Sequence, residues 1–273
     1  DKNLPGLQLN ENFDPLNFDV LFLALPHGAS HNYVKKFNNK IKIIDLSADF
    51  RLDSLDLYCD KYTIYVVDNN SNDKTVELIK KNYPEVNLLV SNTNLGFSGG
   101  NNFGFQRAIA DGCDYVLLLN DDVIILEDFI SPILEKMENS PEIGSIGPVV
   151  VENYDRNIIQ SSGGKINQIT LDMSYQKKGN IFKKKNKFRE VDYILGAAIL
   201  IRSSLFKTTN LFDPHFYPAY VEEVDLCYRI NELGFKNIIS ENYKIAHIGS
   251  SSASNNSMTY RRILNNKFLF SLK

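Results

Sequence analysis

The sequence predicts an α/β fold in which a mixed sheet carries helices on its faces. One observation is the apolar run at 116–119, which leads directly into Asn120, Asp121 and Asp122. A short continuous apolar run of this kind is typical of a strand buried on both faces of a parallel sheet. The second observation is alternation, because β-rich runs at 62–67 and 88–90 are each followed by a helical pattern. Such alternation favours strands joined by helices.

The polar residues at the end of the apolar run form the first candidate site. In open α/β sheets, ligands bind just beyond the carboxyl ends of the strands. Asn120, Asp121 and Asp122 would therefore offer hard oxygen atoms to a cation such as Mg²⁺ or Mn²⁺. Asn and Asp are also natural turn formers, so a simple turn after the strand is the alternative.

Composition indicates an ordinary globular protein of one or two domains. The chain has 273 residues, of which 43% are hydrophobic and 23% charged, and its net charge of −3 gives no reason to expect nucleic acid as a partner. Its three cysteines are scattered, which argues against a disulfide framework and fits a reducing, cytoplasmic compartment. We find neither a secretory signal nor an apolar run of the ~18 residues that a membrane span requires. The first residue is Asp1 rather than Met, as in a fragment of a longer protein.

The first sixty residues predict a separate β-α-β unit. Strands are expected at 18–25 and 41–46, with a helix at 30–37 between them. The segments Leu-Ala-Leu-Pro-His-Gly at 23–28 and Ile-Asp-Leu-Ser-Ala-Asp-Phe-Arg-Leu at 44–52 resemble N-acetyl-gamma-glutamyl-phosphate reductase. The resemblance covers about residues 5–60, which we interpret as a fragment of foreign origin.

Reductase activity is not expected from this fragment. The resembling family opens with a glycine-rich loop for the nicotinamide cofactor and uses a cysteine nucleophile further along. Neither feature is found in this sequence, and without a phosphate-cradling loop the dinucleotide has no obvious site. We therefore interpret His27 and Asp49 as inherited structure.

Two further motifs lie on either side of the strand at 88–90. Asp68 ends the strand predicted at 62–67 and could hydrogen-bond a base or ribose, although a helix cap is an equal alternative. The glycine-rich segment 94–104 is expected to be a loop that opens into a helix through Ala110. Glycines let the backbone approach a ligand closely, and helix starts attract diphosphate oxygens.

The order of these motifs resembles the family 2 glycosyltransferases with the GT-A fold, in their rhamnosyl- and galactofuranosyl-transferase-like branch. That branch has a V-D-N-x-S element, here at 67–71, an N-x-G-F-x-x-G-x-N loop, here at 94–102, and a variant of the D-x-D metal motif, here at 120–122. The resemblance runs from about residue 62 to the C-terminus. It implies a Rossmann-type mixed sheet flanked by helices, and a UDP- or dTDP-linked sugar bound by Asp68, Asn70, Asn94, Gly96, Phe97, Gly100, Asn102, Asp121 and Gly196.

The resemblance also implies a metal site and a catalytic base. Asn120, Asp122 and His247 would hold the divalent cation, Mn²⁺ or Mg²⁺, although a lone histidine is more often a structural residue. The Glu-Glu-Val-Asp run at 222–225 matches the family's E-D-x-D element, which makes Glu223 the base and Asp225 its runner-up. A purely structural role is the alternative, because acidic residues stabilise helix starts by ~0.3–1 kcal/mol each.

Three other segments remain ambiguous. Gly196 could line the acceptor side of the sugar pocket or simply allow close packing. The lysine-rich run at 177–189 reads as a solvated loop, or as a contact for a phosphorylated acceptor or an anionic membrane surface. The apolar spacing at 125–138 predicts an amphipathic helix.

The resulting hypothesis is an inverting, metal-dependent glycosyltransferase of cell-surface polysaccharide biosynthesis, acting on a glycan or lipid-linked acceptor at the inner face of the membrane. Residues 61–273 would form this domain and residues 1–60 the reductase-like fragment. The family's first strand is absent, so the segment 20–25 is expected to take its place. The alternative is a non-catalytic chimera with at most residual nucleotide binding. Asn120 replaces the first carboxylate of D-x-D, and Glu223 stands where Asp is commoner.

Overall fold

The computed structural model describes residues 20–22, 43–46, 63–167, 169–248 and 256–272. Within these ranges an eleven-stranded mixed sheet forms the centre, and a short hairpin lies beside it. The strands are β1 (Val20–Phe22), β2 (Ile43–Leu46), β3 (Thr63–Asp68), β4 (Asn87–Val90), β5 (Tyr115–Asn120), β6 (Val123–Ile125), β7 (Ile143–Glu152), β8 (Ile159–Ser161), β9 (Gly164–Ile166), β10 (Met173–Tyr175), β11 (Phe188–Val191), β12 (Ala198–Arg202) and β13 (Lys236–His247).

Six α-helices accompany the strands in the described ranges. Three of them end shortly before residues that commonly terminate helices: Pro84 follows the first, and Gly112 and Gly234 follow two others. The helices are α1 (Thr75–Asn82), α2 (Gly96–Ala110), α3 (Ile130–Glu138), α4 (Phe206–Thr209), α5 (Glu222–Glu232) and α6 (Asn256–Ser271).

The middle of the sheet is built on β3 and β5. The strand order is β1-β3-β2-β5-β12-β7-β13-β11, with β4 paired to β3, β6 to β13 and β8 to β7. β2, β3 and β5 run parallel, whereas β12 lies antiparallel to both β5 and β7. Residues 116–119 of β5 are fully buried, as the continuous apolar run predicts.

The strand between β3 and β5 comes from the reductase-like segment. β2 pairs in parallel with β3 on one side and with β5 on the other, so that Leu46 lies opposite Asn120. The sequence pointed instead to 20–25 for this place. Of that segment, Val20–Phe22 forms β1, which pairs in parallel with β3. The helix expected at 30–37 lies outside the described residues.

Two other expectations need correction. The helix predicted over 125–138 begins only at Ile130, because Val123–Ile125 form β6 and pair antiparallel with β13. The five apolar residues that predicted it are nevertheless all buried: Phe129, Ile130, Ile133, Leu134 and Met137. The glycine-rich segment expected to be a loop is helical from Gly96 onward, so it forms the first turns of α2.

Candidate active site

The candidate site lies at the edge of the sheet where β2, β3 and β5 end. β3 ends at Asp68 and β5 at Asn120, and parallel strands present their carboxyl ends at one edge. Asp68 is 1% exposed. Its Oδ2 accepts a hydrogen bond from the Ser71 amide at 3.3 Å, whereas its buried Oδ1 has no hydrogen-bond partner. An unsatisfied buried acceptor is costly, and a ligand hydroxyl or amide would satisfy it.

Asn69 ties the Asp68 strand to the glycine-rich helix. Its Oδ1 accepts from the Leu95 amide at 2.8 Å, and its Nδ2 donates to the Gly96 carbonyl at 3.1 Å. The sequence reasoning named Asp68 and Asn70 but missed Asn69. Its neighbour Asn70 is exposed and has a positive φ of 68°, so its side chain lies on the solvent side of the turn. The signal for Asn69 was its place inside the V-D-N-x-S element.

The start of α2 is shaped by Gly96. This residue has a φ of +69°, and a Cβ added to it would lie 2.8 Å from the Pro218 carbonyl oxygen. The Phe97 amide donates to that same carbonyl at 2.7 Å. Asn94 accepts from the Gly96 amide at 2.9 Å through its side chain. A helix N-terminus with this close backbone packing therefore faces the edge of the sheet, while Gly100 is buried within it.

Both polar groups of the Asn102 side chain form hydrogen bonds within the protein. Its Nδ2 donates to the Phe212 carbonyl at 2.7 Å, and its Oδ1 accepts from the Phe212 amide at 2.9 Å. Both ends of the amide are thus used in a buried contact between α2 and the segment that precedes α5. This pairing favours a structural role for Asn102 over the nucleotide contact that the motif implied.

Gly196 and Ala197 lie between the metal motif at 120–122, the glycine-rich helix α2 and the start of α5. The Asn120 amide donates to the Ala197 carbonyl at 3.0 Å. A Cβ placed on Gly196 would lie 3.4 Å from Cζ of Phe97 and 3.7 Å from Cβ of Glu223. A Cβ at Gly196 would thus make only ordinary van der Waals contacts, so Gly196 lies between the start of α2 and α5 without being required for their packing.

Glu222 and Glu223 are buried carboxyl groups at the start of α5. Glu223 is 8% exposed and Glu222 3% exposed, and Oε2 of Glu222 has no hydrogen-bond partner. Burial raises the pKa of Glu223 to about 7, although hydrogen bonds from backbone amides, including that of Gly196, partly offset the effect. Burial and the charge of Glu223 raise the pKa of Glu222 to about 8. A carboxylate with a pKa near neutrality is suited to accepting a proton.

Tyr193 and Tyr175, neither of which the sequence indicated, are close enough to feel the charge of Glu223. Tyr193 is 2% exposed and precedes Gly196 by three residues, while Tyr175 ends β10. Their rings are 5.8 Å apart in an edge-on arrangement. Burial and the charge of Glu223 raise the pKa of the Tyr193 hydroxyl, so it remains a protonated hydrogen-bond donor. Tyr175 packs on this ring but is 40% exposed.

The buried carboxyl pair predicts an unusual pH dependence of stability. Between the ordinary pKa of 4.5 and the raised value of Glu222, the folded state holds a proton that the unfolded state has released. The free energy of unfolding should therefore fall as the pH rises through this window. We expect Glu222→Gln to raise the melting temperature, relative to the wild type, more at about pH 9 than at about pH 5. Thermal unfolding measures this, with Glu232→Gln, an exposed change on the same helix, as the control. An equal effect at both pH values would contradict the assignment.

Asp225 is neutralised by an arginine. It is fully buried, and its Oδ2 accepts from Nε of Arg229 at 2.9 Å and from Nη2 at 2.6 Å. Arg229 also donates to the Thr209 carbonyl. A carboxylate held in this way fixes α5 against α4, which favours a structural role over the catalytic one that the resemblance implied.

Asp122 and His247 form the candidate cation site. β6 follows Asp122 and pairs with β13, which ends at His247, and the Ile248 amide donates to the Asp122 carbonyl at 2.8 Å. Oδ1 of Asp122 lies 2.9 Å from Nε2 of His247. Oδ1 is nevertheless without a hydrogen-bond partner of acceptable geometry. When the imidazole is neutral, Nε2 and Oδ1 are at a separation that suits neighbouring ligands of one cation.

Gln160 sets the protonation of His247. Its Oε1 lies 2.7 Å from Nδ1 of His247, and its Nε2 donates to Glu152 at 3.3 Å. The amide oxygen can only accept, so Nδ1 carries a proton and the ring is oriented with Nε2 towards Asp122. In the neutral ring Nε2 is then the nitrogen available to a cation. The sequence did not indicate Gln160, because it lies on β8, far along the chain from both partners.

The donor set is compatible with a cation only if a ligand completes it. No group of three or more His, Cys, Asp and Glu side chains within the described ranges is arranged to hold a metal. Asp122 and His247 supply two donors, and Asn120 and Asp121 are half-buried beside them. Diphosphate oxygens would supply the remainder, as is common for Mg²⁺ and Mn²⁺.

The lysine-rich run is partly neutralised. Lys177 and Arg189 both pair with the buried Glu241, at 2.5 Å and 2.6 Å, and Lys184 pairs with Glu127 at 3.0 Å. The two contacts with Glu241 join the run to β13, so the run is tied to the sheet rather than purely solvated.

In the described part of the chain, no helix combines the length and the apolar character that a membrane crossing requires.

Comparison with solved structures identifies the class of fold. The chain resembles GalNAc-T7, solved with UDP, GalNAc and Mn²⁺, with a TM-score of 0.55 and 15% identity over 88% of this chain and 45% of the other. The mixed sheet and its flanking helices are those of a GT-A glycosyltransferase, as the sequence predicted. The chain belongs to glycosyl transferase family 2, whose family model matches residues 50–209.

Relatives by sequence divide between the two parts of the chain. The N-acetylglucosaminyl-diphospho-decaprenol L-rhamnosyltransferase of Mycobacterium tuberculosis is 24% identical over 216 residues, 68% of this chain and 66% of that protein. The N-acetyl-gamma-glutamyl-phosphate reductase of Ehrlichia canis is 49% identical over 55 residues, 20% of this chain and 16% of the reductase. A model of the semialdehyde dehydrogenase NAD-binding domain matches residues 3–94. The chain thus spans about a sixth of that reductase and about two thirds of the rhamnosyltransferase, and both predicted resemblances are confirmed.

Proposed function

We propose that the chain is an inverting glycosyltransferase that uses a UDP- or dTDP-linked sugar and a divalent cation. The observation that carries the proposal is the convergence on Gly196 and Ala197. Asn120 of the metal motif contacts Ala197. Phe97 of the glycine-rich helix α2 and the proposed base Glu223 both lie close to Gly196. The three candidate motifs therefore share one region. The M. tuberculosis relative, which by its name transfers rhamnose to a lipid-linked acceptor, supports a glycan or lipid-linked acceptor here.

Donor binding is assigned to the edge of the sheet. The buried free Oδ1 of Asp68 would accept from the base or ribose. The positive end of the α2 dipole would attract the diphosphate, since the Gly96 and Phe97 amides already donate to Asn94 and Pro218. Asp122 and His247, with Asn120 or Asp121, would hold the cation, Mn²⁺ or Mg²⁺, with the imidazole favouring Mn²⁺. When bound, the cation neutralises the charge that develops on the leaving diphosphate.

Transfer is assigned to Glu223. Its carboxylate removes the proton of the acceptor hydroxyl while that oxygen bonds to the anomeric carbon and the bond to the diphosphate breaks. The raised pKa of Glu223 suits a base that must accept a proton near neutral pH. Attack opposite the leaving group inverts the anomeric centre.

We further propose that residues 61–273 are the glycosyltransferase domain and that residues 1–60 supply its missing central strand. β2 hydrogen-bonds to both β3 and β5. This pairing supports a continuous sheet and argues against a nucleotide-binding module that lacks its central strand. This favours the enzyme over the alternative of a non-catalytic chimera. Cytoplasmic location at the inner face of the membrane belongs to the same proposal.

The proposal is tested with the full chain. Calorimetry with UDP and dTDP in the presence of Mn²⁺ measures donor binding, and NMR follows hydrolysis or transfer from UDP- and dTDP-sugars with the anomeric configuration of the product. Binding and turnover are expected with one of the two nucleotides. Binding without turnover would favour the non-catalytic alternative, and no binding of either nucleotide would overturn the proposal.

Gln160 supplies a more specific test of the cation site. We expect Gln160→Met, which removes the acceptor for His247 at similar volume, to lower Mn²⁺ affinity about 10- to 100-fold. Electron paramagnetic resonance of Mn²⁺ in the presence of the bound nucleotide measures this affinity. Gln106→Met, an exposed change on α2, is the control. Wild-type affinity in Gln160→Met would show that the contact between Gln160 and His247 does not support the cation site.

A further inference from the structure

The segment 216–221 contacts the start of α2 and leads directly into α5. It precedes α5, whose first residues are Glu222 and Glu223. The carbonyl of Pro218 accepts from the Phe97 amide at 2.7 Å, and it also lies against Gly96. Any movement of this segment would therefore shift both the start of α2 and the start of α5.

The end of this segment has an unfavourable backbone. Tyr220 has a φ of +87° and Val221 a φ of +78°, so two consecutive residues other than glycine lie in the left-handed region. Such a conformation is costly, most of all for a β-branched residue such as valine. It persists only where surrounding contacts hold it in place.

Asn266 supplies those contacts from the C-terminal helix. It is 4% exposed, and its Nδ2 lies 2.8 Å from the Tyr220 carbonyl oxygen, 3.0 Å from that of Ala219 and 3.2 Å from that of Phe216. The two hydrogens of this amide suit the two nearer carbonyls, with Phe216 sharing one of them. The same helix packs on α5 through Phe270 and Tyr228, whose rings meet edge to face at 5.4 Å. Helix α6 is thus fixed against α5 and holds the carbonyls of the segment that precedes α5.

We infer that Asn266 is a positioning residue for Glu223, because it holds the left-handed backbone that sets the start of α5. This role rests on the proposed glycosyl transfer, in which Glu223 must meet the acceptor hydroxyl beside Gly196. Asn266 touches neither substrate, and it acts only through residues 216–221. The motif-based reasoning gave it no role, since it lies beyond all the family's motifs.

The inference is tested by Asn266→Ala, with Asn265→Ala, an exposed change on the same helix, as the matched control. Misplacement of a catalytic group by about 1 Å can cost ~10²-fold in rate. We therefore expect kcat to fall by up to about 100-fold in Asn266→Ala, with an unchanged KM for the donor. Hydrogen exchange of the amides at 219–223 should become faster in Asn266→Ala only.

A second variant separates positioning from a general loss of folding. Val221→Gly removes the cost of the left-handed backbone, so a second change to Ala at position 266 should then lower kcat much less than it does in the wild type. Equal losses in both backgrounds, or kcat and exchange in Asn266→Ala like those of Asn265→Ala, would overturn the inference. If the wild type itself lacks transfer activity, the proposed function fails, while hydrogen exchange still decides whether Asn266 holds the segment.

Discussion

Replacing Glu223 with glutamine is expected to lower the rate of glycosyl transfer about 10²- to 10⁴-fold while the donor binds as before. The amide has nearly the shape of the carboxyl group but cannot accept the acceptor's proton. Glu223 lies close to Gly196, and the neighbouring Ala197 contacts Asn120. In the proposed site Glu223 meets the acceptor rather than the donor, so donor binding should be preserved. Turnover with a saturating donor and acceptor measures the rate, and calorimetry with the nucleotide measures binding.

Glu232→Gln is the matched control for this change. It makes the same substitution at the exposed end of α5 and should leave turnover unchanged. A Glu223→Gln enzyme that turns over like Glu232→Gln would show that another group takes the proton. Glu222, buried beside Glu223, would then be the next group to examine.

The second large effect is expected from Asp122→Asn. Asp122 supplies the charged oxygen of the candidate cation site, 2.9 Å from Nε2 of His247. Loss of this charge should weaken Mn²⁺-dependent nucleotide binding by more than the ~10- to 100-fold expected of an outer partner such as Gln160. Transfer at a fixed Mn²⁺ concentration should fall with it. Calorimetric titration of the nucleotide with and without Mn²⁺ separates the two contributions.

Asp114→Asn is the control for the cation site, because Asp114 is exposed and directly precedes the other end of β5. Its nucleotide affinity should match that of the wild type at every Mn²⁺ concentration. If Asp122→Asn behaved in the same way, or if chelation left wild-type transfer intact, the cation would have no part in the reaction at this position.

The sequence predicted the buried strand and the class of fold, which depend on local pattern and on the order of the motifs. The apolar run before Asn120 indicated a buried strand, and the order of the motifs indicated a GT-A fold, which the comparisons confirm. Local pattern also led to an error at Gly96, where glycines suggested a loop although the chain is helical. Glycine permits many conformations, so its presence does not decide between them.

Contacts between distant segments could not be read from the sequence. Gln160 reaches His247 across 87 positions of the chain, and Asn266 reaches Tyr220 across 46. The pairing of Asp225 with Arg229 is an exception, since a separation of four residues on a helix places the two side chains together. The choice of Ile43–Leu46 over 20–25 as the inner strand depended on pairing with both β3 and β5, which neither segment displays by itself.

The position of β2 has a consequence for how the protein can be divided. A cut at the proposed domain boundary near residue 60 would remove a strand that hydrogen-bonds to both of its neighbours. The truncated chain would carry two open strand edges where the sugar nucleotide is expected to bind. The proposed glycosyltransferase domain therefore depends, for a continuous sheet, on a strand that lies outside its own bounds in the sequence.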